Sequence, residues 1–125
     1  MSDAARHLPY AAPIEAYGQG GFSFAGMSHR GSLLCLPDGI WASSVTRFED
    51  IDEPALAPVL ARAGEVTLCL IGCGARSAIL PPELRRKFQE KKISLECTTT
   101  GAAVSTYNIL LGERRPVAAL LIATP

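Results

Sequence analysis

Two hydrophobic periods alternate along this chain, and the change from one to the other divides it. Between Phe22 and Val45 the period is two. Phe22 and Phe24 alternate with Ser23 and Ala25, the signature of a half-buried strand. Ile14 to Tyr17 forms a short edge strand before it, and Gly18-Gln-Gly-Gly21 supplies the bend between them. Ser28-His-Arg-Gly31 is expected to turn, Ser32 to Leu36 to form a second strand, and Pro37-Asp-Gly39 to make a tight turn. Ile40 to Val45 then pairs back, so this third of the chain is an antiparallel meander, or hairpin unit.

From Asp52 onwards helices and strands take turns. Asp52-Glu-Pro54 is a helix start, with a capping acid, a second acid in the first turn and a proline whose missing N–H is harmless there. Leu56, Val59 and Leu60 form its apolar seam, and Pro58 is tolerated near the first turn or kinks the helix. Val66 to Ile71 is apolar enough to be buried on both faces. Pro81-Pro82 precedes a surface helix, Glu83 to Lys91, seamed by Leu84 and Phe88. Ile93, Leu95 and Cys97 alternate with Ser94 and Glu96 as a strand. A helix from about Gly101 to Leu111 stacks Ala103, Tyr107 and Leu110, and Val117 to Ala123 closes the series. This order predicts an α/β layer with right-handed crossovers. Residues 1–13, punctuated by Pro9 and Pro13 and without a period, are expected to be a mobile arm, and residues 14–125 a single α/β domain.

Composition narrows the function classes. The chain has 125 residues, 48% of them hydrophobic, which suits one domain and excludes disorder for most of it. Twelve basic and twelve acidic residues cancel, so no overall field draws nucleic acid or an anionic membrane. The longest apolar runs, Val66–Gly74 and Val117–Ala123, fall far short of the roughly 20 residues of a membrane span. Residues 1–10 hold no apolar export segment, so a reducing cytoplasm is the expectation. The four cysteines fit it as small buried hydrophobes. With no CxxC pair and two histidines, no metal site is expected.

Candidate chemistry gathers at strand ends. Ile71-Gly-Cys-Gly74 leaves a buried strand as a dinucleotide loop does, and Glu96 ends the next strand where a ribose-binding acid belongs. Ser77 stands in place of a third glycine, however, and Pro81-Pro82 delays the helix, which disfavours nucleotide binding. Cys73 is a nucleophile only if the fold brings a base to it; the alternative is a small residue in a tight strand exit. Arg85, Arg86, Lys87, Lys91 and Lys92 read as a solvated helix face. Glu96, Thr98 to Thr100, Tyr107, Asn108, Glu113 and Arg115 form the remaining polar set. Asparagine is a poor mid-helix residue, so Asn108 implies a specific hydrogen bond, to backbone or to a ligand.

Tyr17-Gly-x-Gly-Gly-Phe22, Gly31-Ser32, Pro37-Asp-Gly-x-Trp41, Ile71-Gly-x-Gly74, Thr100-Gly-Ala-Ala-x-x-Thr-Tyr-Asn108 and Glu113-x-Arg115 occur in an order and spacing that resemble one family. It is the small-domain family that includes mitochondrial complex I assembly factor three and the adipogenesis-associated vertebrate protein, with many bacterial and archaeal members. The resemblance covers about Ile14 to Ile122. It implies a three-layer α/β fold whose central mixed sheet has about five strands, one antiparallel to the rest, with an added β-hairpin. It carries over no catalytic residues.

Two expectations follow. In the first, the chain is a non-enzymatic binding module resembling a complex I assembly factor. Its partner is then a membrane-complex subunit docking near Tyr17, Phe22 and Trp41. In the second, it is a small-molecule binder or enzyme with a pocket over Gly72, Cys73, Gly74, Glu96, Thr100, Tyr107, Asn108, Glu113 and Arg115. Neither expectation implies a cofactor or a nucleic-acid partner. Both fit a bacterial, cytoplasmic monomer or homodimer.

Overall fold

A computed structural model of the chain describes residues 6–125. Nine strands and three helices follow one another along these residues: β1 (Arg6–Leu8), β2 (Ile14–Gly18), β3 (Gly21–Phe24), β4 (Met27–Arg30), β5 (Ser32–Leu36), β6 (Gly39–Ser43), α1 (Glu53–Leu60), β7 (Leu68–Gly72), α2 (Pro82–Glu90), β8 (Ser94–Thr98), α3 (Thr100–Gly112) and β9 (Val117–Leu121). Six strands make the central sheet in the order β1-β6-β5-β9-β7-β8, and β2-β3-β4 make a separate antiparallel sheet.

The central sheet is mixed. β7 pairs in parallel with β8 and β9, whereas β5 is antiparallel to both β9 and β6. β1 is in turn antiparallel to β6, so β5 and β1 run against the other four strands. The expected five-stranded sheet with one reversed strand therefore gains a sixth strand, also reversed. That strand comes from the stretch read as a mobile arm: Arg6 and Leu8 pair with Trp41 and Ile40, while residues 1–5 of the arm lie outside the described residues. Gly39 admits it, because a Cβ there would meet the Leu8 carbonyl oxygen.

The expected meander divides between the two sheets. Ser28 to Gly31, predicted to turn, lies mostly in β4; the reversal falls earlier, at Ala25 and Gly26, whose φ angles of 51° and 74° suit a tight hairpin. Gly31, at φ 103°, then swings the chain from one sheet to the other.

Strand alternation builds a core on each face of the central sheet. Leu33, Cys35, Leu70, Ala119 and Leu121 point to one face, with Phe22, Phe24, Ala103, Val104 and Tyr107 packed on them. Leu34, Leu36, Cys69, Ile71 and Leu120 point to the other, beneath Leu56, Val59, Phe88 and Leu80. The result is three layers: α1 and α2, the central sheet, then α3 with the small sheet. The connection from β7 to β8 carries α2 on one face. The return across β7 to β9 carries α3 on the other, as a constant crossover hand demands when the direction reverses. No helix among the described residues is long and apolar enough to cross a membrane.

Candidate functional site

The junction between β7 and α3 is built around Thr100, which is fully buried. Its Oγ1 donates to the Ile122 carbonyl at 2.7 Å and accepts the Gly74 N–H at 3.0 Å. Its own N–H donates to the Gly74 carbonyl at 2.9 Å. Gly72 lets the helix approach this closely, since a Cβ there would lie 3.0 Å from the Thr100 Cα. Thr99 caps α3 by accepting the Ala102 N–H at 3.2 Å. The Gly-x-Gly exit of β7 thus grips the first turn of α3, and N–H groups that a dinucleotide loop would offer to phosphate are bonded to the protein.

About two turns further along α3, Tyr107 and Asn108 reach across to the segment that opens the small sheet. Tyr107, 1% exposed, directs its hydroxyl to the Ala12 carbonyl at 3.3 Å, and burial raises its pKa. Asn108 clamps one residue: the Ile14 N–H donates to Oδ1 and Nδ2 donates to the Ile14 carbonyl, both at 2.8 Å. Glu113 and Arg115 form an exposed pair at 3.9 Å where the chain turns into β9. Glu96 lies exposed on the edge strand β8. The nine residues expected around one pocket therefore occupy three places: Gly72, Cys73, Gly74 and Thr100 at the junction, Tyr107 and Asn108 at the clamp, and Glu96, Glu113 and Arg115 on the surface.

A cavity of about 380 Å³ does lie at the carboxyl ends of β7 and β9, lined by Cys73, Gly74, Arg76, Phe48 and Ala123. Cys73 gives it no activated thiol, because burial pushes that group up to about 11. Cys97 beside it is also raised, first by burial. Among the described residues no group of three His, Cys, Asp or Glu could hold a metal ion, and no buried side-chain nitrogen or oxygen lacks a hydrogen-bond partner.

The three residues expected on a docking surface also separate. Phe22 is buried between the sheets, and Tyr17 is half-exposed with its hydroxyl against Gly101 at the start of α3. Trp41 faces the opposite side of the central sheet, half-buried between two guanidinium groups, Arg6 at 5.8 Å and Arg62 at 5.5 Å from its ring centre. Asp38 fixes Arg62 through two bonds, from Nε at 2.8 Å and Nη2 at 3.0 Å, and that contact holds the carboxyl below its usual range. Beside Trp41 opens a groove of about 1000 Å³ between β5, β6 and α1. Its floor of Leu34 and Leu36 and its wall of Ala55 and Arg62 were absent from the sequence reading. In sequence they are ordinary strand and helix positions, and Leu34 and Leu36 stay buried beneath the groove.

Comparison with known proteins places this fold in a group. A family model described as a protein of unknown function, DUF498/DUF598, matches residues 14–122. An uncharacterised protein of Rhodobacter capsulatus is 40% identical over 115 residues, 92% of this chain and 87% of its own. NADH dehydrogenase [ubiquinone] 1 alpha subcomplex assembly factor 3 of Bos taurus is 28% identical over 120 residues, and this chain spans 65% of that protein's length. A crystal structure of a Bartonella henselae chain, described as an outer membrane protein, superposes with a TM-score of 0.92 at 47% identity, covering 95% of this chain and all of that one.

Proposed function

The chain belongs to the DUF498/DUF598 family, and from that membership we propose that it is a non-enzymatic binding module that assists assembly of a membrane-bound NADH dehydrogenase. The observation that carries the reading is the alignment with the bovine assembly factor, which runs through 96% of this chain and so engages the whole domain, not one motif. The site geometry supports it. Thr100, Tyr107 and Asn108, the polar groups most suited to chemistry, already bond backbone within the domain. Trp41 and Tyr17, by contrast, offer aromatic surface of the sort that anchors protein partners.

Deleting the gene in its own host tests the proposal. The expected result is accumulation of incomplete NADH dehydrogenase subcomplexes on native gels, restored by the wild-type chain, and retention of a subunit of that enzyme by the tagged protein. A deletion strain with normal amounts of the complete enzyme would overturn it.

A further inference from the structure

The carboxyl ends of the parallel strands β7 and β8 bring two cysteines together on one face of the central sheet. Cys97 stands opposite Ile71, and Cys73, one residue past β7, donates its N–H to the Thr98 carbonyl at 2.7 Å. The two are therefore diagonal neighbours, and their thiols interact. Diagonal neighbours on adjacent strands stand about 7–8 Å apart at Cα, past the roughly 4.4–6.8 Å of a disulfide. One ion placed between the sulfurs spans that gap without moving either strand. Access is open, because Cys73 lines the cavity of about 380 Å³ at these strand ends and Cys97 is only half-buried.

The donor set selects the ion. Zinc takes three or four protein ligands, and among the described residues no third His, Cys, Asp or Glu completes such a set. Thiolates favour soft cations, and Cu(I) is the soft first-row ion that accepts two ligands in line. Two thiolates and one monovalent ion together carry a single negative charge. Burial opposes charge on both sulfurs, while the Leu80 backbone and the Arg85 guanidinium favour it at Cys97.

We propose that Cys73 and Cys97 form a two-coordinate site for a soft monovalent metal ion of the Cu(I) kind. The site is independent of the assembly reading and adds a metal-binding activity to the same domain. Binding turns two thiols and one cation into a bis-thiolate complex and two released protons, with no change of oxidation state.

Anaerobic titration with Cu(I) against the chromophoric chelator bathocuproine disulfonate tests it. One ion per chain is expected, with a raised melting temperature, because a site present only in the folded chain stabilises that state. Both thiols are protonated at neutral pH, so the apparent affinity is expected to rise about a hundredfold per pH unit there. A one-thiol site would give about tenfold. Cys73→Ala and Cys97→Ala are each expected to weaken binding by about a hundredfold or more, since losing a mere outer partner of a metal ligand already costs roughly 10–100-fold. Cys35→Ala, in the opposite core, is expected to leave it unchanged.

Failure to compete with the chelator, a tenfold pH slope, or binding kept by Cys97→Ala overturns the proposal. So does a lowered melting temperature, the mark of thiols captured on the unfolded chain. Binding lost in Cys69→Ala but kept in Cys73→Ala overturns it too, because the ion would then sit deeper, between Cys69 and Cys97. The pH slope is read on the wild-type chain, so it decides even where an alanine variant unfolds.

Discussion

Asn108 shows how a residue picked out for chemistry can serve architecture. Both atoms of its amide are taken by one buried backbone unit, Ile14, 94 positions away. Asn108→Ala would leave that N–H and C=O unpaired, at about 1–3 kcal/mol for a buried group. The expected outcome is a lower urea midpoint for Asn108→Ala. An unmoved midpoint would mean that the clamp contributes nothing to the fold. His29 makes a second residue-scale case. Burial, then repulsion from His7, whose ring lies tilted against it at 4.6 Å between centres, lowers its pKa from 6.5. The unfolded chain therefore binds this proton more readily than the folded one, so stability holds above about 6.5 and declines as pH falls through it. His29→Gln is expected to flatten the thermal-stability profile between mildly acid and neutral pH. An unchanged slope would assign the acid sensitivity elsewhere.

Elements that carry their own signal were legible in the sequence. Asp52 before α1 and the alternation of Phe22 and Phe24 in β3 are local features, and each appears as read. Two strands were not legible, for a common reason. β1 offers one buried residue, Leu8, and β4 none, so neither has an apolar period to detect. Each exists because a neighbouring strand tolerates its approach, which is a property of the neighbour. The residues expected around one pocket divide for the complementary reason: Asn108 was seen to need a partner, but the backbone of Ile14 that satisfies it leaves no side-chain signal. Gly39 tests the argument for β1. Adding a methyl there would drive the Leu8 carbonyl away and bring Arg6 Cδ within 2.8 Å, so Gly39→Ala is expected to detach β1 at about 1–3 kcal/mol, as overpacking does. Faster amide exchange at residues 6–8 with little change in α3 would confirm it; protection equal to wild type would show that β1 does not depend on that gap.

At the scale of the molecule, the question is whether the two cores are one cooperative unit. β9 is buried along its whole length and serves both: Val117, Ala119 and Leu121 face α3, while Ala118 and Leu120 face α1 and α2. Opening either core strips one side of a strand that the other still needs, so neither has a stable unfolded alternative while the other is intact. The cysteines report on this without added probes. Cys35 lies in the α3 core and Cys69 in the opposite one, both fully inaccessible, and burial pushes Cys35 up to about 12 and Cys69 higher still. Neither is a thiolate in the folded state near neutral pH, and each becomes an ordinary reactive thiol on unfolding. Pulsed alkylation across a urea series, read peptide by peptide, is therefore expected to label Cys35 and Cys69 at one shared midpoint. Separate midpoints would show that the central sheet divides two independent units. A chain built that way would present the groove beside Trp41 on a part that opens alone.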